Sequence, residues 1–238
     1  MNNSKRFLRM MVLSMLIALG VVISPILRVE GMCPMAHFIN IICSVLLGPW
    51  YSLLCATLIG IIRMSFMGIP PLALTGAVFG AFLSGVFYRA SNGKIIFAVL
   101  GETIGTGIIG AIISYPVMAF IMGKSGLTWL FYVPSFTFAT IIGGSIAFMF
   151  LKKLSKNGML KKIQMSIADK SYDDNSGIIS NTASIAAVGV ILYLVIRVLV
   201  NVFELTSPVW GYVSTAVIVG FAVIAIIYYL VNKSKKVG

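Results

Sequence analysis

Few residues in this chain could do chemistry, and most of those lie in apolar surroundings. His37, the single histidine, stands three residues before Asn40. Residues at that separation share one helix face, so both side chains can turn into one pocket and offer hydrogen-bond donors and acceptors to a small polar molecule. The alternative is that they cap a helix and satisfy loop backbone. Glu102 falls inside the apolar run GETIGTGIIGAIISYP. A carboxyl group at that depth is costly unless it faces a cavity or finds a partner. Arg63, toward the far end of an earlier apolar run, is a candidate partner, as a structural ion pair or as a functional one. Tyr115, Trp129 and Tyr132 fall near one membrane surface, where they form an aromatic belt or stack on a flat ligand.

Other reaction types lack their residues. The sequence holds no HExxH and no paired-aspartate constellation of a metalloprotease or phosphotransferase, and Gly144-Ser145 lacks the flanking pattern of a serine nucleophile. Gly123-Lys124-Ser125 imitates the end of a phosphate-binding loop, but Met118 replaces the glycine needed five positions earlier. The regular arginine series of a voltage sensor is missing too. Cys33, Cys43 and Cys55 have no metal-ligand spacing and read as packing residues. Catalysis is therefore not expected and no metal or cofactor is called for, whereas binding or transport survives the elimination.

The elements that position these residues follow from composition. Of 238 residues, 59% are hydrophobic and 10% charged, with a mean hydropathy of +1.04. A soluble domain carries about 25% charged residues, so this chain belongs in a bilayer. Its long apolar runs fit membrane-spanning helices, not the alternating strands of an outer-membrane barrel. The fold class is an all-α, polytopic helical bundle. The net charge of +12 does not imply nucleic acid. All Lys and Arg except Arg28, Arg63, Lys124 and Arg197 fall in segments on one side, which places both termini in the cytoplasm.

Eight spans are expected, at about 7–27, 38–47, 51–66, 72–88, 95–122, 129–151, 183–203 and 209–231. The second is short for a bilayer, so it is tilted, broken or shielded by neighbours. Residues 1–155 form a six-helix bundle, 156–182 a polar cytoplasmic linker or short surface helix, and 183–238 a two-helix extension. Gly101, Gly105 and Gly110 suit close packing of the fifth span. Ser14 and Ala18, four apart on the first, make a smooth stripe for helix contact, within the chain or with a partner docking from inside.

The segments PMAHFIN (34–40), VLLGPWYSLL (45–54), LIGIIR (58–63) and GETIGTGIIGAIISYPV (101–117), in that order, resemble the ThiW family of substrate-capture (S) components of energy-coupling factor (ECF) transporters. The resemblance covers about residues 7–154 and implies a six-helix S-component core in the cell membrane. It also implies uptake of a thiamine precursor, hydroxyethylthiazole in the first instance. ATP would be consumed by two ATPase subunits, acting through a transmembrane coupling protein on another chain. Ser14 and Ala18 would touch that coupling protein. His37, Asn40, Tyr115, Trp129 and Tyr132 would line the pocket, with Arg63 and Glu102 on its deeper side or locking the bundle. Two features depart from the pattern: Ala36 stands where a glutamine is expected, and the last two spans exceed the usual six. The competing readings are a stand-alone secondary transporter in which Glu102 carries a proton, and a membrane scaffold without ligand.

Overall fold

The structure, a computed structural model, describes residues 3–26, 28, 32–168, 171–172, 178–202, 205 and 207–237, and every regular element among them is helical. The chain divides into two compact units, Met1–Asp173 and Asp174–Gly238. Seven helices are long and apolar enough to cross a membrane, one fewer than the eight spans expected.

The difference is α2 (Pro34–Leu47), whose 14 residues rise about 21 Å, short of a hydrocarbon layer about 30 Å thick. It survives because protein surrounds it. Only Met35, Phe38 and Leu46 of α2 escape full burial. Its neighbours are α1 (Asn3–Ile23), α3 (Pro49–Met67), α5 (Val78–Ala90), α6 (Ile95–Ile104), α8 (Val133–Lys156) and α9 (Met159–Ile167). Prolines at the first turn start α2 and α3 without losing an intrahelical bond. Between them Gly48 adopts φ +93°, and a Cβ there would also lie 1.9 Å from the Arg89 guanidinium, so only glycine serves this turn.

Arg89, Lys94 and the lysines closing α8 lie at the same end of the bundle as the α2–α3 turn, here termed the basic end. The fourth expected span is interrupted, with the short α4 (Leu72–Thr75) preceding α5. The fifth runs on from α6 through a π-helical stretch, Gly105–Gly110, then α7 (Ala111–Pro116) and a second π-helical stretch, Val117–Ile121. Its glycines meet the α4–α5 backbone directly. A Cβ on Gly105 would stand 2.6 Å from Gly80 Cα, and one on Gly101 would stand 2.5 Å from the Leu83 carbonyl oxygen. The sixth span starts at Val133, leaving Trp129 in the preceding turn.

Part of the polar interval expected as a linker or short surface helix is a helix packed against the bundle. In α9, Leu160, Gln164 and Ile167 are buried, at spacings that share one helix face. Gln164 Nε2 donates to the Val45 carbonyl and to the Tyr88 hydroxyl, both at 3.0 Å. Arg9 bonds the Ile167 carbonyl, tying α1 to the same seam. Residues 169, 170 and 173–177 of the interval lie outside the described residues, as do 27, 29–31, 203, 204 and 206 of the expected loops and span ends.

In the second unit α10 (Ile178–Val202) and α11 (Val209–Val237) form an antiparallel hairpin. Asn181 Nδ2 donates to the Tyr228 hydroxyl at 3.0 Å. Nearer the turn Gly189 packs on Phe221, where a Cβ would approach within 2.4 Å.

Candidate functional site

Because α2 is short, its first turn lies inside the bundle instead of at a surface. His37 stands ten residues from the end of α2 at Leu47, about 15 Å above the basic end. Glu102, seven residues into α6, stands about 11 Å above it. The two side chains meet: Glu102 Oε1 lies 2.8 Å from His37 Nδ1. The same oxygen accepts from Asn40 Nδ2 at 3.0 Å and from Thr106 Oγ1 at 3.2 Å. Glu102 is fully buried, Asn40 and Thr106 nearly so.

This arrangement fixes the roles of the ambiguous groups. Asn40 Nδ2 also faces the Ala77 carbonyl, at 3.4 Å, so two acceptors orient the amide. Ser52 Oγ holds the Asn40 carbonyl at 3.0 Å, which anchors α3 to the same turn of α2. With Oε1 already accepting from an amide and a hydroxyl, His37 Nδ1 is the donor, and in the neutral ring the other nitrogen, Nε2, is left as an acceptor. The His37 side chain keeps 8% exposure while Glu102 keeps none, so the imidazole is the accessible edge of the cluster. Glu102 Oε2 has no hydrogen-bond partner among the described residues.

Close helix approach makes the cluster possible. A Cβ on Gly80 would lie 2.0 Å from Thr106 Oγ1 and 2.9 Å from Glu102 Oε2. On the other side, one on Gly143 would lie 2.1 Å from the Pro34 carbonyl oxygen and 3.1 Å from His37 Cβ. Thr106 and Gly80 were not marked by the sequence as site residues. Thr106 reads as a small packing residue, and the only signal for it is its place one turn beyond the intramembrane acid.

The other candidate residues fall in separate places. Arg63 does not reach Glu102. It lies fourteen residues into α3, about 21 Å above the basic end, which leaves an axial gap of about 10 Å. Arg63 Nη2 instead bonds Cys33 Sγ at 3.3 Å, and Cys33 Sγ donates to the Ser24 carbonyl at 2.8 Å. Cys33 is thus a polar link between α1, α2 and α3, not the packing residue expected, while Cys43 and Cys55 are fully buried.

The rings of Tyr115 and Trp129 pack at a 45° tilt with centroids 4.6 Å apart, and Trp129 is 56% exposed. Tyr132 is buried with Ala111, Met118 and Phe136. Burial raises the Tyr132 hydroxyl above its ordinary pKa. Tyr115 is thirteen residues beyond Glu102, about 20 Å along the same helical rod, so the aromatic group and the polar cluster do not converge. Ser14 and Ala18 are exposed on α1 and line a shallow groove of about 420 Å³ with Ile17, Val21, Val22 and Ile62.

The profile of the thiamine-precursor transporter protein family, ThiW, matches residues 10–157. The chain belongs to the ThiW family. No curated protein and no solved structure matches the chain significantly. The ThiW match takes in α1 to α8, and with them every residue of the polar cluster, the aromatic group and the groove. The α10–α11 hairpin lies outside it. Membership makes this chain a thiamine-precursor transporter protein of multi-pass helical build, in keeping with its seven long apolar helices.

Proposed function

We propose that the chain is the substrate-capturing S component of an ECF transporter in the cell membrane and that its ligand is hydroxyethylthiazole. The observation that carries the reading is the oriented imidazole. Glu102, itself gripped by Asn40 and Thr106, holds His37 through Nδ1, and the imidazole is the partly exposed member of the cluster. A carboxylate bonded to one ring nitrogen fixes tautomer and ring orientation in this manner. The acceptor so presented suits a hydroxyl donor on a small heterocycle. A thiazole alcohol has that hydroxyl on a short arm, and its ring needs only apolar walls, which α2 and α8 provide in abundance.

In this reading both termini and the basic end face the cytoplasm, as the distribution of Lys and Arg favours. The exposed Ser14–Ala18 stripe accepts a transmembrane coupling protein, and two ATPase subunits supply the energy. The small side chains leave a groove into which a partner helix can pack closely. Uptake into proteoliposomes tests the assignment. Labelled hydroxyethylthiazole accumulates when the chain is reconstituted with a coupling protein, two ATPases and internal ATP, and does not accumulate with the chain alone. Accumulation by the chain alone under a proton gradient would favour the secondary transporter in which Glu102 carries the proton.

A further inference from the structure

A second polar site, at the start of α2, is used by nothing described so far. Arg63 keeps only 4% of its surface exposed, its Nη2 meets the thiol of Cys33, and its Nε has no partner. No carboxylate among the described residues pairs with it. A guanidinium removed from water without a counter-charge is strongly destabilised, and an anion is what relieves it. Arg63 is aimed at the N-cap residue of α2. Cys33 occupies that position without capping the helix by a side-chain hydrogen bond; Pro34 has no N–H and the Ala36 N–H donates to the Cys33 carbonyl at 3.0 Å, so what the first turn of α2 offers the same spot is the positive end of the helix dipole.

We infer that Arg63, Cys33 and the first turn of α2 form an oxyanion subsite, which takes the phosphoryl or carboxyl group of an acidic derivative of the precursor alcohol. The inference rests on the thiamine-precursor reading for the rest of the ligand. Cys33 precedes His37 by four residues, a rise of about 6 Å along α2, which a five-membered ring with a two-carbon arm spans. A single ligand can therefore pack its ring beside His37 and reach the Arg63 guanidinium with an anionic arm. Phosphate and carboxylate share the chemistry that the guanidinium fork and helix N-terminus recognise.

The test is equilibrium binding to the purified full-length chain in lipid nanodiscs, with three probes: hydroxyethylthiazole, its phosphate monoester, and the thiazole bearing a carboxymethyl arm. At least one anionic probe is expected to bind about tenfold tighter than the alcohol. Arg63→Gln removes that preference while leaving affinity for the alcohol within about threefold, a difference below 1 kcal/mol, and Arg63→Lys retains part of it. Which acid binds better identifies phosphoryl or carboxyl. Equal or tighter binding of the alcohol, or a preference that survives Arg63→Gln, overturns the subsite.

A separate readout covers the case in which no thiazole binds and the ligand assignment itself fails. Alkylation by a maleimide reports Cys33, because Cys43 and Cys55 are fully buried. Inorganic phosphate slows Cys33 labelling in the native chain and not in Arg63→Gln if the subsite exists. Identical labelling with and without phosphate overturns it. Arg63→Lys serves in both arms if Arg63→Gln does not fold.

Discussion

Replacing Glu102 separates the hydrogen-bonding role of its carboxyl group from its bulk. In Glu102→Ala, three donors, His37 Nδ1, Asn40 Nδ2 and Thr106 Oγ1, lose their acceptor together. Each buried donor left unsatisfied costs about 1–3 kcal/mol, but two of them have an escape. Asn40 retains the Ala77 carbonyl, and a helical threonine hydroxyl can turn to a carbonyl one turn back. Hydrogen bonds between membrane helices average only about 0.6 kcal/mol in double-mutant cycles, which lowers the sum further. The net loss expected for Glu102→Ala is about 2–4 kcal/mol, most of it from His37. Glu102→Gln keeps an oxygen where Oε1 stands and loses roughly 1 kcal/mol. Thermal unfolding of the purified proteins in one detergent measures both. At about 2–4 °C per kcal/mol for a chain of this size, the alanine variant melts about 4–16 °C below the native chain and the glutamine variant falls between them. An alanine variant that melts within about 1 °C of native, or above the glutamine variant, would refute the placement of Glu102 as the hub of the cluster.

Gly80→Ala puts a methyl group 2.0 Å from Thr106 Oγ1, and the overpacking is expected to lower stability by about 1–3 kcal/mol in a thermal melt. It also weakens binding of hydroxyethylthiazole, because α5 must move off Glu102. Gln164→Leu strands the Val45 carbonyl, and its cost of about 1–3 kcal/mol shows as earlier release of α9 in hydrogen exchange. The double change Ser14→Leu and Ala18→Leu fills the groove on α1. Ligand affinity stays at its native value while ATP-driven uptake in proteoliposomes falls to background. A chain ending at residue 173 keeps the complete first unit and is expected to bind hydroxyethylthiazole as the full chain does in calorimetric titration.

The membrane bundle was legible because its spans are long apolar runs, and the acid in the fifth run stood out because carboxyl groups are costly there. The depth of α2 was not legible. Composition changes at His37, so the sequence reading places that residue in a loop, whereas the helix starts three residues earlier at Pro34 and its first turn is enclosed by α8 and α5. That displacement also explains the wrong partner for Glu102. Opposite charge suggests Arg63, but the rise along α3 carries Arg63 too far, and the histidine that seemed superficial is the one at the right height. Pairing the single histidine with the lone acid of the first six spans was the available signal. The π-helical turns leave no mark in hydropathy, and in the interval expected as a linker or short surface helix the burial of α9 was hidden because a glutamine occupies its central buried position, where it bonds across to α2 and α5.

Calorimetric titration of hydroxyethylthiazole into the purified chain, alone and in a membrane mimetic, bears most directly on the capture role of His37. The native protein is expected to bind one equivalent saturably, and His37→Ala to bind it at least about tenfold more weakly, the value of one hydrogen bond to the ligand at about 1.4 kcal/mol. Absence of binding by the native chain, or the same affinity after His37→Ala, would contradict it.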